Sequence, residues 1–205
     1  MKKTDSKKDK PVNLNKSKIA LLLIDVISDF EFEDGEALFS SALPTVRHIA
    51  ALKRRAGKEG IPVIYINDNF GNWRDDFQKI VKSCLRENVR GYEIAKQIKP
   101  EAKDYFVLKP KHSAFYSTTL DLLLGELGIE TLILTGFSTD ICVLCTANDA
   151  YIRGFQLYVP RDCVAAVKPN ENTRSLKYIE RVLKADTRKS DEIKFSAMLN
   201  DNKFL

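Results

Sequence analysis

The stretch TLILTGFSTDICVLC, residues 131–145, changes character twice within fifteen residues. An apolar run typical of a buried strand, TLILT, gives way to glycine, phenylalanine and three polar residues, and then to a cysteine at the start of a helical pattern. Ligands of parallel sheets bind beyond the carboxyl ends of the strands, so Cys142 stands where a nucleophile would lie. Taken alone, Cys142 fits a small apolar core residue equally well, and the rest of the chain must decide.

Four more apolar runs have the length of strands. With TLILT they are IALLLI (19–24), PVIYIN (62–67), YFVL (105–108) and QLYVP (156–160). Segments with apolar residues at helical spacing lie between or after them, at 42–60, 75–99, 117–127, 141–153 and 172–184. This alternation predicts one α/β domain with a doubly wound, mainly parallel sheet of five to six strands and helices on both faces. IKFSAM (193–198) is a candidate for a short sixth strand.

The composition is that of a globular protein with a basic amino-terminal tail. The chain has 205 residues, 44% of them hydrophobic and 30% charged. Residues 1–18 hold seven lysines and two aspartates, which account for the whole formal charge of +5. We expect residues 1–18 to be a flexible tail and 19–205 to be the domain. The sequence shows no signal peptide and no run of about 18 apolar residues, so we expect a cytoplasmic protein with no nucleic-acid or membrane partner.

Chemically useful residues follow three of the predicted strands. Asp25 follows the first, Lys109 the third and Cys142 the fourth. Each has a plain structural alternative: Asp25 as a loop cap, Lys109 as a solvated lysine, and Cys142 as core. Together they are harder to dismiss, because the carboxyl ends of parallel strands meet at one edge of the sheet.

The three side chains supply complementary chemistry. A thiol with an ordinary pKa near 8.5 is about 3% thiolate at neutral pH, and a nearby cation or a helix amino terminus lowers that pKa. Lys109 and the helix that begins near Asp140 are placed to do this. A carboxylate such as Asp25 can take the thiol proton and return it to a leaving amine, and neither histidine stands directly at a strand end.

The remaining cysteines suggest no further site. Cys142 and Cys145 have the spacing of a CxxC pair in CVLC, but the sequence has no second pair, and His48 and His112 are not at ligand spacing. Cys84, Cys145 and Cys163 fit small core residues. The sequence therefore does not favour redox or metal use of these thiols.

Three motifs in order resemble the isochorismatase-like cysteine hydrolases, the superfamily that includes nicotinamidases. They are IDVISDF at the first strand, LKPKHSAFYSTTLDLLL at the third and TGFSTDICVLCTANDAYIRGF at the fourth, followed by RDCVAA. The resemblance runs from Ile19 to Val167 and implies an Asp–Lys–Cys triad at Asp25, Lys109 and Cys142. It also implies a cis peptide between Phe137 and Ser138, an oxyanion hole formed by the N–H groups of Ser138 and Cys142, and a homo-oligomer.

Two positions depart from the family pattern. Nicotinamidases hold a metal with an aspartate and histidines after the second strand, where this chain has Asp68 in NDNFGNWRDDF and no histidine. We therefore expect no metal and no cofactor. Glutamine is frequent in the family two residues after the first aspartate, where this chain has Ile27.

These features predict a cysteine hydrolase that cleaves a C–N bond of a small amide or carbamoyl-type substrate through a thioester. The substrate-binding candidates are Phe30, Asn67, Trp73 and Phe115, although each aromatic residue fits the core equally well. Three alternatives stay open. The first is a vinyl ether hydrolase of isochorismatase type with Asp25 as the acid. The second is a non-catalytic binding protein on the same fold. The third, a receiver-like signalling module, is disfavoured because Lys109 occupies the place of its phosphoacceptor aspartate.

Overall fold

The structure is a computed structural model that describes residues 17–69, 71, 73, 74 and 76–200. The expected flexible tail lies outside the described residues, except for Ser17 and Lys18. Within the described part of the chain, no helix is both long enough and apolar enough to cross a bilayer.

A six-stranded parallel sheet forms the centre of the domain. The strands are β1 (Ile19–Ile24), β2 (Val63–Asp68), β3 (Tyr105–Lys109), β4 (Thr131–Phe137), β5 (Gln156–Tyr158) and β6 (Val164–Ala165). Their order is β3-β2-β1-β4-β5, and β6 pairs with the end of β4 beyond β5. All of these strand pairs are parallel, which confirms the predicted sheet.

Helices cover both faces of this sheet. They are α1 (Gly35–Lys58), α2 (Phe77–Cys84), α3 (Tyr92–Gln97), α4 (Leu120–Leu127), α5 (Leu144–Ile152), α6 (Pro169–Val182) and α7 (Phe195–Asn200). Along β1, Ile19, Leu21 and Leu23 pack in the cluster that includes α1 to α3, and the alternate residues pack in the cluster that includes α4 to α6. The strand is apolar throughout because both of its faces are buried. The doubly wound α/β prediction is thus confirmed.

The predicted strand at 193–198 is wrong. The sixth strand is Val164–Ala165, whereas Phe195 opens α7. Arg55 of α1 donates hydrogen bonds to the Ser190 and Ile193 carbonyls, and its guanidinium lies 5.3 Å from the Phe195 ring centre. The segment is therefore attached to a helix face by a distant arginine, and local apolar spacing could not reveal this.

The single helix predicted at 75–99 is in fact two helices. α2 ends at Cys84 and α3 begins at Tyr92. Gly91 directly precedes α3, and a Cβ atom on it would lie 1.8 Å from the Ser28 carbonyl oxygen. Only glycine permits this close approach of α3 to the loop after β1, so the chain turns there.

A buried ion pair far along α1 gives a stability prediction. Lys53 Nζ lies 2.8 Å from Asp104 Oδ2, and these side chains are 8% and 2% exposed. Replacing Lys53 by Met leaves Asp104 buried without its partner, which costs about 3–5 kcal/mol of unfolding free energy in urea titration. The control is Lys18→Met, whose exposed pair with Glu130 contributes about 0–1 kcal/mol. Equal, small losses in both variants would contradict the prediction.

Candidate active site

Asp25 is held at the carboxyl end of β1 by the backbone of β2. It adopts a positive φ of 52°, and its N–H donates to the Ile66 carbonyl at 2.7 Å. Its Oδ1 accepts a hydrogen bond from the Asp68 N–H at 2.7 Å. The side chain is 14% exposed, so the carboxylate is largely withdrawn from water yet fixed in position.

Lys109 is the last residue of β3 and its side chain is wholly buried, with 0% exposed. Its Nζ lies 2.8 Å from Asp25 Oδ2, 3.3 Å from Asp68 Oδ2 and 3.5 Å from Cys142 Sγ. The contact with Asp25 Oδ2 is an ion pair rather than a well-directed hydrogen bond. The structure thus brings Asp25, Lys109 and Cys142 together, as the sequence predicted.

The loop after β3 is anchored on α5. Ser113 donates a hydrogen bond from its hydroxyl to Asp149, and the Ala114 N–H donates to Thr146 Oγ1 at 3.0 Å. These contacts join the end of β3 to the helix that follows Cys142. These contacts therefore help to fix the position of Lys109 relative to Cys142.

Cys142 lies in a π-helical turn, Thr139–Val143, between β4 and α5. A Cβ atom on Gly136, whose φ is 117°, would lie 1.9 Å from the Ile24 carbonyl oxygen, so glycine lets β4 pass close to the end of β1. The peptide bond between Phe137 and Ser138 is cis. The chain thereby enters the turn beside Asp25.

In the π-helical turn, the backbone N–H group of Cys142 is bonded differently from those of its two neighbours. The N–H groups of Ile141 and Val143 donate to the Ser138 carbonyl at 3.2 and 3.1 Å, whereas the Cys142 N–H between them does not. The Ser138 hydroxyl donates to Asp140. The sequence predicts a helix start here, whereas the structure has a π-helical turn that contacts α6.

The charges of the cluster shift the pKa values of its members. Burial raises the pKa of Asp25 above its usual range, although the Lys109 charge opposes this. Burial and the negative charge of Asp25 raise the pKa of the Cys142 thiol, against the effect of Lys109. Burial works to lower the pKa of Lys109, but the charges of Asp25, Cys142 and Asp68 outweigh it and raise that pKa.

The lowered thiol pKa expected from the sequence is therefore wrong for the free protein. Lys109 does favour the thiolate, but burial and Asp25 oppose it more strongly. Near neutral pH, Cys142 is therefore a neutral thiol beside the Lys109 ammonium. Such a thiol must lose its proton as it reacts.

The four predicted substrate contacts lie in different surroundings. Phe30 is wholly buried against Phe39 and Phe137, so it does not line an open cavity. Phe115 is also buried, beneath the Arg153 guanidinium at 4.6 Å. Both rings are therefore part of the hydrophobic core, Phe30 on one face of the sheet and Phe115 on the other.

The other two predicted contacts are polar or exposed. Asn67 is fully buried and donates to the Ile27 carbonyl at 2.6 Å, which ties the loop after β1 to β2. Trp73 is 78% exposed in the turn after β2. Of the four, Trp73 is the side chain that reaches solvent at this edge of the sheet.

A surface cavity of about 720 Å³ lies elsewhere, beside β5 and the end of α6. Its lining includes Tyr158, Arg161, Lys184 and Arg188, and no member of the Asp25–Lys109–Cys142 cluster. Arg188 is occupied by an ion pair with Asp186, and Arg161 by the Thr187 carbonyl. The chemistry of the cluster, rather than this cavity, therefore marks the candidate site.

Asp68 is the residue that sequence reasoning missed as part of the cluster. The sequence suggests only a metal-ligand role for it, yet its carboxylate lies 3.3 Å from Lys109 Nζ. Its position directly after the β2 apolar run, in register with Lys109, was the available signal. Among the described residues, no group of three or more His, Cys, Asp or Glu side chains is arranged to hold a metal ion.

The histidines do not complete a metal site of nicotinamidase type. His48 Nδ1 lies 3.5 Å from Asp162 Oδ2 on the α1 side, and His112 is exposed in the loop after β3. The segment NDNFGNWRDDF at the end of β2 contains no histidine, and Asp68 contacts Lys109. The residues present therefore do not fit that metal.

Comparison with known proteins identifies the family of this chain. The isochorismatase domain model matches residues 19–188. The chain is 42% identical to the uncharacterized isochorismatase family protein YaaI of Bacillus subtilis, covering 88% of this chain and 98% of the relative.

Two solved structures are also similar to this chain. N-carbamoylsarcosine amidase of Thermoplasma acidophilum is 31% identical, with a TM-score of 0.65 over 87% of this chain and 99% of that one. The nicotinamidase of Staphylococcus aureus is 25% identical, with a TM-score of 0.66 over 84% of this chain and 99% of that one. Because the family model spans most of its length, the chain belongs to the isochorismatase family of hydrolases.

Proposed function

We propose that this hydrolase uses Cys142 as a nucleophile to cleave a C–N bond of a small amide or carbamoyl-type substrate. The observation that carries the proposal is the buried Lys109 ammonium, 2.8 Å from Asp25 and 3.5 Å from Cys142. A base, a cation and a thiol that meet at one point are what covalent catalysis by cysteine requires. The similarity of this chain to an N-carbamoylsarcosine amidase and a nicotinamidase supports amide-type substrates.

The first half of the reaction forms a thioester. Asp25 accepts the Cys142 proton as the sulfur attacks the substrate carbonyl carbon, and a C–S bond forms. The carbonyl oxygen becomes an oxyanion that the N–H groups of Ser138 and Cys142 stabilise. Loss of one such donor typically costs about 3–4 kcal/mol in the transition state. The C–N bond then breaks, and Asp25 returns its proton to the departing nitrogen.

The second half regenerates the enzyme. Asp25, again a carboxylate, takes a proton from water while the water oxygen attacks the thioester carbonyl. The C–S bond breaks, the acid product leaves, and the sulfur recovers its proton from Asp25. Lys109 stays protonated throughout because its pKa is raised, and its charge stabilises the sulfur whenever that atom is a thiolate.

The raised pKa of Asp25 also favours one other reaction. A carboxyl group whose pKa is raised by burial keeps its proton to a higher pH than an ordinary aspartate does, and a protonated carboxyl group can protonate a vinyl ether, as an isochorismatase-type reaction needs. Product analysis separates the two: an amide substrate releases ammonia or an amine, whereas a vinyl ether releases a carbonyl compound. Homo-oligomeric assembly and a cytoplasmic location are further expectations from the family resemblance.

A screen over small amides, ureas and carbamoyl amino acids tests the proposal. We expect turnover with at least one of them and a covalent adduct on Cys142 in quenched samples analysed by mass spectrometry. Turnover should be unchanged in EDTA, because the residues after β2 supply no histidine ligand. Loss of turnover in EDTA that zinc or iron restores would contradict the metal-free mechanism, and release of amine with no adduct would contradict covalent catalysis.

A further inference from the structure

Lys109 has two carboxylate partners, and the mechanism above uses one of them. Asp68 Oδ2 lies 3.3 Å from Nζ, on the same ammonium that Asp25 contacts at 2.8 Å. The Lys109 side chain has no exposed surface, so its charge must be compensated by neighbouring groups rather than by water. Asp68, which is 27% exposed, therefore supplies part of that compensation from the rim.

Asp68 also contacts Asp25, the proposed base, directly. Its backbone N–H donates to Asp25 Oδ1 at 2.7 Å. In the β2–β3 register, Asp68 stands opposite Lys109, so the strand pairing fixes the distance between their side chains. One residue thus contacts the base through its main chain and the cation through its side chain.

We propose that Asp68 is a positioning residue, whose carboxylate shares the Lys109 ammonium with Asp25 and so leaves Asp25 able to accept the Cys142 proton. This inference rests on the proposed function and names a further residue of the same site. A carboxylate in an undivided ion pair with a lysine is a poor base, because the positive charge favours its ionised form. Dividing the ammonium between two carboxylates reduces that effect on Asp25.

The charge of the cluster gives this role a measurable consequence. Among the described residues, Asp25, Asp68, Cys142 and Cys145 interact electrostatically with Lys109. With a neutral thiol, two carboxylates and one ammonium leave the site with a net negative charge. Removing the Asp68 charge makes it neutral, which favours ionisation of both Cys142 and Asp25.

The test is Asp68→Asn, which keeps the shape of the side chain and the N–H bond to Asp25. Without substrate, the pH at which Cys142 becomes alkylated by iodoacetamide should fall. For each pH unit by which this midpoint falls, alkylation at a fixed pH below the midpoint becomes about threefold faster. The gain is limited because a thiolate with a lower pKa is also a poorer nucleophile. The label is assigned to Cys142 by fragmentation of the peptide that it shares with Cys145.

Turnover of Asp68→Asn should become slower, although alkylation of Cys142 becomes faster. In Asp68→Asn, kcat should fall by about three- to tenfold with little change in KM, and the acid limb of its pH profile should move to lower pH, because Asp25 becomes a weaker base. A merely structural role would not couple faster alkylation to slower turnover. Asp68→Glu restores the charge and should keep the parental alkylation midpoint.

The controls separate charge from damage. Asp29→Asn makes the same change of charge in the loop after β1, where Oδ1 accepts from the Glu31 N–H at 3.0 Å and an asparagine can do the same. It should leave both pH profiles unchanged. The buried Cys84 and Cys163 should stay unlabelled in every variant if the fold is intact.

Three results would overturn the inference. They are an unshifted Cys142 midpoint in Asp68→Asn, a raised KM with unchanged kcat, which would make Asp68 a substrate contact, and a shifted midpoint in Asp68→Glu. The measurement on Asp68→Glu can still contradict the inference if Asp68→Asn does not fold. Alkylation needs no substrate, so failure to find a hydrolysed amide would weaken the proposed function without altering this test.

Discussion

Replacing Cys142 by alanine is expected to lower amide turnover on the order of 10⁴-fold or more, because no thioester can form without the sulfur. The thiol is half-buried at the point where Lys109 and Asp25 meet, and removing it leaves both charged partners paired with each other. The fold should therefore persist. Steady-state turnover and circular dichroism of the parent and the variant provide the measurement.

Cys145→Ala is the matched control for this experiment. It removes a second partly exposed thiol three residues away, in the first turn of α5, and should leave most of the turnover. A vinyl ether hydrolase that relies on Asp25 as its acid would retain activity in Cys142→Ala. A non-catalytic binding protein would show no turnover in the parent. A folded Cys142→Ala protein with more than a tenth of parental activity would thus exclude the covalent mechanism.

Asp25→Asn is expected to abolish most turnover, since asparagine keeps the size of the side chain but cannot accept the thiol proton. Retention of more than a tenth of the activity in a folded variant would mean a loss below about 1.4 kcal/mol of transition-state stabilisation, too little for an essential base. Lys109→Ala should be similarly impaired. The double variant should be scarcely worse than either single one, because groups that act as a unit are not additive.

The pH profile supplies an independent check on Asp25. A base must be deprotonated, so kcat/KM of the parent should rise with pH through the pKa of Asp25. Burial raises that pKa, which places the midpoint above the ordinary value of about 3.9. The raised pKa of Lys109 predicts no fall until strongly alkaline pH. Asp25→Asn should lose the acid limb, and a midpoint at or below about 3.9 in the parent would contradict the assignment.

Local sequence patterns were sufficient to predict five of the six strands and three residues of the cluster at their ends, Asp25, Lys109 and Cys142. Five apolar runs with helical segments between them specify parallel strands, because strands covered on both faces must be apolar throughout. Asp25 and Lys109 interrupt or end such runs, where a charged residue is costly unless it is paired. Their convergence with Cys142 follows from the geometry of any parallel sheet, since the strand ends meet at one edge.

Contacts between distant residues decided the rest. Arg55 attaches 190–195 to α1, Gly91 turns the chain against Ser28, and Asp68 reaches Lys109 across the β2–β3 pair. Each of these contacts joins residues that are far apart in the sequence. The sequence determined which groups stand at the rim. Only the tertiary structure decided that the pKa of the Cys142 thiol is raised, because burial and the opposing charges of Asp25 and Lys109 set it.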